Sequence, residues 1–311
     1  MSAIRRILYA VKEPDPRRDA GAAKAAALAK ACGATLELFH AVSAPLFLPT
    51  EPATGASLAD LKRDTLELHA LRLRKLADTA RHRGVEVDCF ASWDYPPHEA
   101  IVRRAHETRA DLIVAPCHKG SRGKSWLVRL TDFELLRVSD IPVLLFKNSE
   151  PYRRPVIVAA VDPSHTHAKP LDLDTRILHE ARHVSAALRG SLHVIHVNNP
   201  SFQVEKQGVE DYEELMAGSG VPEQRRHVVS GNPVEAIPRF SRKLDAGIVV
   251  MGAVSRSGLA RVFIGNTAER VLGDLPCDVL VVKPAAFGRR VSARRRGALL
   301  LTHAPTSAHA S

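Results

Sequence analysis

One stretch of this 311-residue sequence has the residue types that hold phosphate oxygens. In MGAVSRSGLARVFIGNTAERV, starting at Met251, an apolar run ends on Gly252. A small polar loop with Ser255, Ser257 and Gly258 follows, and Gly265-Asn266-Thr267 opens a helical pattern. Glycine at the strand end lets the chain turn sharply at little steric cost, and small residues let backbone amides close on an anion. A helix start adds free amides and the positive end of a dipole, with Asn266 or Thr267 as the expected N-cap. Asp162, in AAVDPSH just past another apolar run, offers a carboxylate to a ribose or base edge, or to a metal held on phosphates. Its alternative use is an Asx turn with Pro163.

Other constellations set no reaction. His165 and His167 in SHTHAKP lie two apart with no third ligand spaced to join them, so no metal site is expected. Cys117 stands beside His118 without a third orienting group, which falls short of a nucleophilic dyad. His193 reads as a packed or edge histidine and His196 as a candidate for the cleft wall. Glu99 and Glu235 follow prolines at helix starts, where the dipole accounts for them without acid–base work. No catalytic residue is expected.

The elements that must place these residues occur twice. RADLIVAPCHKGSRGKSWLVRLTDFELLRVSDIPVLLFK, from Arg109, aligns without a gap with DAGIVVMGAVSRSGLARVFIGNTAERVLGDLPCDVLVVK, from Asp245, at an offset of 136 residues. Pro97–Ile101 and Pro233–Ile237 continue the match at the same offset. A repeat of this kind signals two copies of one unit. They are joined near KNSEPYRRP, which has linker chemistry. The expected boundaries are 1–148 and 155–283, with 284–311 a basic disordered tail. Each copy alternates short continuous apolar runs with longer helical patterns, as in parallel sheets covered on both faces. In the second copy the expected strands are Val156–Val161, Ser191–Val197, Arg225–Val229, Gly247–Met251 and Asp278–Val282. Leu173, Ile177, Ala181, Val184 and Leu188 form the stripe of one helix, with Gly190 at its stop. Ser57–Arg83 is the longest helix, its apolar side read as Leu58, Leu61, Leu68 and Leu76, packed on its own sheet. The fold class is α/β, with two tandem doubly wound five-stranded parallel sheets, Rossmann-like, and ligands placed beyond the carboxyl ends of the first and fourth strands.

The copies differ at that place. Lys12 follows the first strand where Asp162 follows its equivalent, and Pro116 stands opposite Gly252. Lys119 stands opposite Ser255, while Arg129 and Leu130 face Gly265 and Asn266. The compact anion-binding entry is lost there, although Thr131-Asp132 can still cap the helix. His118, Lys119, Arg122 and Lys124 read as a solvated basic loop. The first copy is expected to lack nucleotide.

Composition excludes whole classes. The apolar content of 45% suits a globular chain, and no apolar run approaches the ~20 residues of a membrane span. The four cysteines form no CxxC, against a disulfide framework or zinc ribbon. Half of the net charge of +10 comes from five arginines after Pro284. There is no RNP or finger pattern beside them, so the expectation is no specific nucleic acid, no membrane and a cytoplasmic protein.

The motifs MGAVSRSGLARVFIGNTAERV with CDVLVVKP, and TDFELLR with IPVLLFK, resemble the universal stress protein family in its tandem form, over nearly all of residues 3–283. Nucleotide-binding members of that family carry G-x2-G-x9-G-[S/T]. Here Gly252 matches the first glycine, Ser255 replaces the second, Gly265 matches the third, and Asn266 replaces the hydroxyl residue with Thr267 next. Asp162 matches the family's first-strand aspartate, and Val197 lies near the position whose backbone meets adenine. The resemblance implies a sheet of the adenine nucleotide alpha hydrolase (HUP) type and a stress-response protein binding ATP, with magnesium. It also implies pseudo-twofold packing of the copies through Val143–Phe146 and Val279–Val282. The implied role is non-catalytic and regulatory; the alternatives are slow ATP hydrolysis or adenylyl transfer in the same cleft, and a ligand-free scaffold.

Overall fold

A computed structural model describes residues 4–15, 19, 21–42, 58–81, 84–117, 130–163, 172–198, 206–253 and 266–293. In the first copy the strands are β1 (Arg6–Ala10), β2 (Thr35–Val42), β3 (Val87–Trp93), β4 (Leu112–Pro116) and β5 (Val143–Phe146). Between them run α1 (Gly21–Cys32), α2 (Leu58–Arg81), α3 (Pro97–Glu107) and α4 (Leu130–Val138). The second copy repeats the order with β6 (Val156–Val161), α5 (Asp172–Ala187), β7 (Ser191–Asn198), α6 (Lys206–Ser219) and β8 (Arg226–Ser230). It closes with α7 (Pro233–Lys243), β9 (Ala246–Gly252), α8 (Asn266–Asp274) and β10 (Asp278–Val282).

Within each copy all strand pairs are parallel. The two five-stranded parallel sheets expected are joined, however, into one ten-stranded mixed sheet in the order β3-β2-β1-β4-β5-β10-β9-β6-β7-β8. The join is an antiparallel pairing of β5 with β10, in which Leu144 faces Leu280. These two residues are equivalents at the offset of 136, so the internal twofold axis passes between them. The physical reason is that each last strand is buried and apolar over Val143–Phe146 and Val279–Val282, and its open edge is satisfied by the other copy's edge.

Side chains alternate across the sheet and build two cores. Ile7, Tyr9 and Val11 pack with α1, α2, α5 and α6, while Leu8 and Ala10 face α3, α4, α7 and α8. Helix ends follow the sequence with one exchange of roles. The left-handed residue after α5 is Arg189 (φ 51°), not Gly190. The Gly190 amide instead bonds to Ser185 at 2.9 Å, and a Cβ on Gly190 would lie 2.3 Å from the Pro155 carbonyl oxygen. Close approach, not φ, requires this glycine. On α2 the buried stripe is Leu73, Leu76, Ala77 and Ala80. Leu68, expected on it, is exposed on the opposite side with Leu71. Among the described residues, the fully buried positions of this helix all lie in its second half.

The seam between the copies is apolar at its centre and polar at one end. Asp278, aligned with Pro142 of the first copy, is wholly buried and lies 2.5 Å from the ammonium of Lys24 on α1. It also accepts the Lys147 amide at 2.8 Å and the Tyr152 hydroxyl at 2.5 Å. After β10 the chain does not leave the fold at once. Ala285 N donates to Asp172 at 2.7 Å, Val291 is buried, and the Ser292 carbonyl accepts from Arg103 of α3 at 2.9 Å. Residues 294–311, the rest of the expected tail, lie outside the described residues.

Candidate functional site

Strand order reverses between β1 and β4 in the first copy and between β6 and β9 in the second. A crevice opens there beyond the carboxyl ends of the strands. Because β5 and β10 run antiparallel, the two crevices face opposite ends of the sheet. In the second copy the crevice is bounded by Asp162 after β6, by Gly252 and Ala253 at the end of β9, and by Lys283 after β10. Val161 pairs with His196, so Val197 stands level with Asp162 on the neighbouring strand. The α8 helix returns from β9 toward β10, so its amino end belongs to this same rim.

Each described residue has a local cause for its place. Asp162 is half-buried, and its amide donates to Asp174 on the first turn of α5 at 3.1 Å. Val197 is half-buried against the second core. Gly252 pairs with Val282 inside β9 and has no left-handed φ. A Cβ there would sit 2.6 Å from Leu173 Cδ2, so α5 packs directly against its bare backbone. Asn266 is the first residue of α8, and half-buried Thr267 lies inside the first turn instead of capping it. Ser255, Ser257, Gly258 and Gly265 lie outside the described residues, as do His165 and His167. In the first copy Lys119, Arg122, Lys124 and Arg129 also lie outside, while Leu130–Asp132 already belong to α4.

Two histidines line equivalent positions. His196 Nδ1 lies 3.3 Å from the Val161 carbonyl and His40 Nδ1 lies 2.8 Å from the Val11 carbonyl, each just before the first-strand site residue. Both are buried, and burial pushes the His40 pKa down. His193 is a packed histidine on the inner strand β7, 3.1 Å from His227 on the edge strand β8 and stacked on it. Among the described residues no group of three or more His, Cys, Asp or Glu could hold a metal ion.

Lysines are what motif reading overlooked. Lys283 Nζ donates to the Ala253 carbonyl at 2.6 Å, and burial, then Arg290, pushes its pKa down to about 7. Lys147, its aligned partner, donates across the seam to Leu272 and Leu275 at the end of α8. The available signal was a lysine following a run of four apolar residues, Val143–Phe146 and Val279–Val282, at the same place in both copies.

Comparison with known proteins agrees with this architecture. The universal stress protein family matches residues 3–147 and again 154–283. Universal stress protein E of Escherichia coli (strain K12) is 30% identical over 223 residues, covering 66% of this chain and 70% of the relative. The universal stress protein E homolog of Haemophilus influenzae is 24% identical over 245 residues, covering 73% and 79%. Among solved structures, a functionally unknown protein from Pseudomonas aeruginosa PAO1 superposes with a TM-score of 0.72 at 28% identity, over 91% of this chain and 93% of that one. A universal stress protein from Archaeoglobus fulgidus shares the fold, with a TM-score of 0.69 at 18% identity, over 89% and 98%. Two consecutive family matches, fused through one sheet, make this chain a tandem member of the universal stress protein family.

Proposed function

We propose that the chain is a non-catalytic regulatory protein of the stress response that binds ATP, with magnesium, in its second copy. In this reading residues 155–283 form the binding unit and residues 1–148 a copy whose own site is degenerate. The observation that carries it is the convergence on one rim of Asp162, Val197 and Gly252 with the amino end of α8. Asp162 serves the ribose or base, and the Val197 backbone meets adenine. Ser255, Gly265, Asn266 and Thr267 supply the phosphate end, where helix amides and dipole favour negative charge.

The first copy supports the reading by contrast. Its crevice has Lys12 for Asp162, Pro116 for Gly252, and Arg129 for Gly265. Proline has no amide hydrogen to give an anion, and it ends β4 where Gly252 ends β9. The test is to denature natively purified protein and identify any released small molecule by mass spectrometry, then to titrate ATP with magnesium by calorimetry. An adenine nucleotide bound once per chain, without turnover, is the expected result. Absence of binding overturns the proposal in favour of a scaffold, and turnover overturns its non-catalytic half.

A further inference from the structure

Both copies close their last strand on a lysine, and both lysines are buried, Lys147 to 2% and Lys283 to 3% exposure. An ammonium is withdrawn from water only where acceptors replace the lost hydration. The two aligned lysines come from different copies, yet both find their acceptors in the second. Lys283 Nζ lies 2.6 Å from the carbonyl of Ala253, the residue that leaves β9. Lys147 Nζ lies 2.5 Å from the Leu272 carbonyl and 2.7 Å from the Leu275 carbonyl, at the far end of α8. Those carbonyls are the ones a helix leaves unpaired, and a cation there also opposes the negative end of the dipole.

We propose that Lys147 and Lys283 are positioning residues for the anionic ligand of the second copy. Lys283 fixes the exit of β9, and Lys147, from the degenerate copy, fixes the base of α8. This rests on the reading of the second copy as the nucleotide site. A helix of nine residues is a short rigid rod of roughly 13 Å, so holding its base sets where its amino end points. The first copy thereby contributes a residue to a site it does not itself form.

The Lys283 end is also covered. The Phe287 ring lies 4.8 Å from Lys283 Nζ, Arg290 lies over the same ring at 4.4 Å, and the Ala285 amide is pinned to Asp172. Among the described residues, the charged groups on the elements around it include Arg290 in the C-terminal segment, Asp172 and Asp174 on α5, and Asp162 after β6. Of these, Arg290 acts on the Lys283 pKa, and it acts in the same downward direction as burial. A bound polyphosphate acts upward. Binding therefore takes up a proton where free Lys283 has lost its own, and affinity falls as pH rises past about 7.

The experiment is calorimetric titration of ATP with magnesium into the full chain between pH 7 and 9, above the second phosphate pKa of about 6, with melting measured alongside. Wild-type affinity falls about fivefold over that range if the anion raises the Lys283 pKa by one unit, and about 25-fold if by two. Lys283→Met binds weakly and without pH dependence. Lys283→Arg, always charged, restores affinity and keeps it at pH 9. Lys147→Met weakens binding at every pH, and Lys147→Arg recovers it. A Lys283→Met protein with the wild-type pH profile overturns the inference, as does a folded Lys147→Met protein with wild-type affinity. Either result leaves nucleotide binding by the wild type standing. A wild type that binds no ATP at any pH overturns the functional reading and this inference together.

Discussion

Replacing Asp278 with asparagine tests the seam more sharply than any core truncation. The carboxylate is wholly buried and holds the Lys24 ammonium at 2.5 Å, with Lys24 itself only 1% exposed. At an effective dielectric of about 20, opposite charges at that separation attract by roughly 7 kcal/mol. The ammonium keeps other partners: Asn148 Oδ1 at 2.7 Å and the rings of Phe146 and Tyr152 at 4.8 and 4.5 Å. These return on the order of 2 kcal/mol. The remainder agrees with the about 3–5 kcal/mol lost when one partner of a buried pair is removed. At about 2–4 °C per kcal/mol for a unit of 150–250 residues, Asp278→Asn melts roughly 6–20 °C below wild type. Urea unfolding of Lys24→Met, Asp278→Asn and the double variant completes a cycle, and the double variant is expected to recover at least about 2 kcal/mol of the summed losses. An Asp278→Asn protein within about 1 kcal/mol of wild type, or two single effects that simply add, would refute a buried ion pair of this strength.

Three further outcomes are expected. Stability rises with pH from about 5.5 to 8.5. His40, His69 and His98 have lowered pKa values, so their cost in the folded state is relieved as pH passes 6.5; that of Lys283 is relieved from about 7 upward, as the unfolded chain binds more protons. Above about pH 9 the sign reverses, because Cys32 and Cys277 are pushed up to about 11 and about 12 and stay protonated only when folded; urea midpoints across pH 5.5–10.5 report both limbs, and a flat profile contradicts them. Gly190→Ala costs about 1–3 kcal/mol by denaturant unfolding, since its Cβ meets backbone and not a movable side chain; an unchanged midpoint contradicts the close approach. Asp162→Ala weakens ATP binding about tenfold or more, with melting of the free protein little changed, as lost hydrogen bonds to a ribose predict; equal affinity removes Asp162 from the site.

Much of this architecture was legible because the same apolar pattern is written twice. The five strands of the second copy and the edge pairing of Val143–Phe146 with Val279–Val282 follow from continuous runs and the resemblance they support. What periodicity could not supply was the fusion of the two sheets into one, since an edge strand reads alike whether it is covered by solvent, a helix or its own twin. Gly190 and Gly252 were read through the conformational freedom of glycine. In the fold they matter because Pro155 and Leu173 come too close for a Cβ. Arg189 takes the left-handed turn, which no composition rule assigns to arginine. Lys24, Asp278, Lys147 and Lys283 escaped notice for a related reason. Their partners lie on other strands or in the other copy, and a single charge inside an apolar element resembles a surface residue until its partner is known.

The direct measure of the central claim is how many nucleotides one chain binds, and which copy holds them. Titration of ATP with magnesium into wild type and Gly265→Arg, which writes the first copy's residue into the second, gives both answers. One site per chain, abolished in a Gly265→Arg protein that melts like wild type, is the predicted result. Two sites per chain, or undiminished binding in that variant, would contradict it.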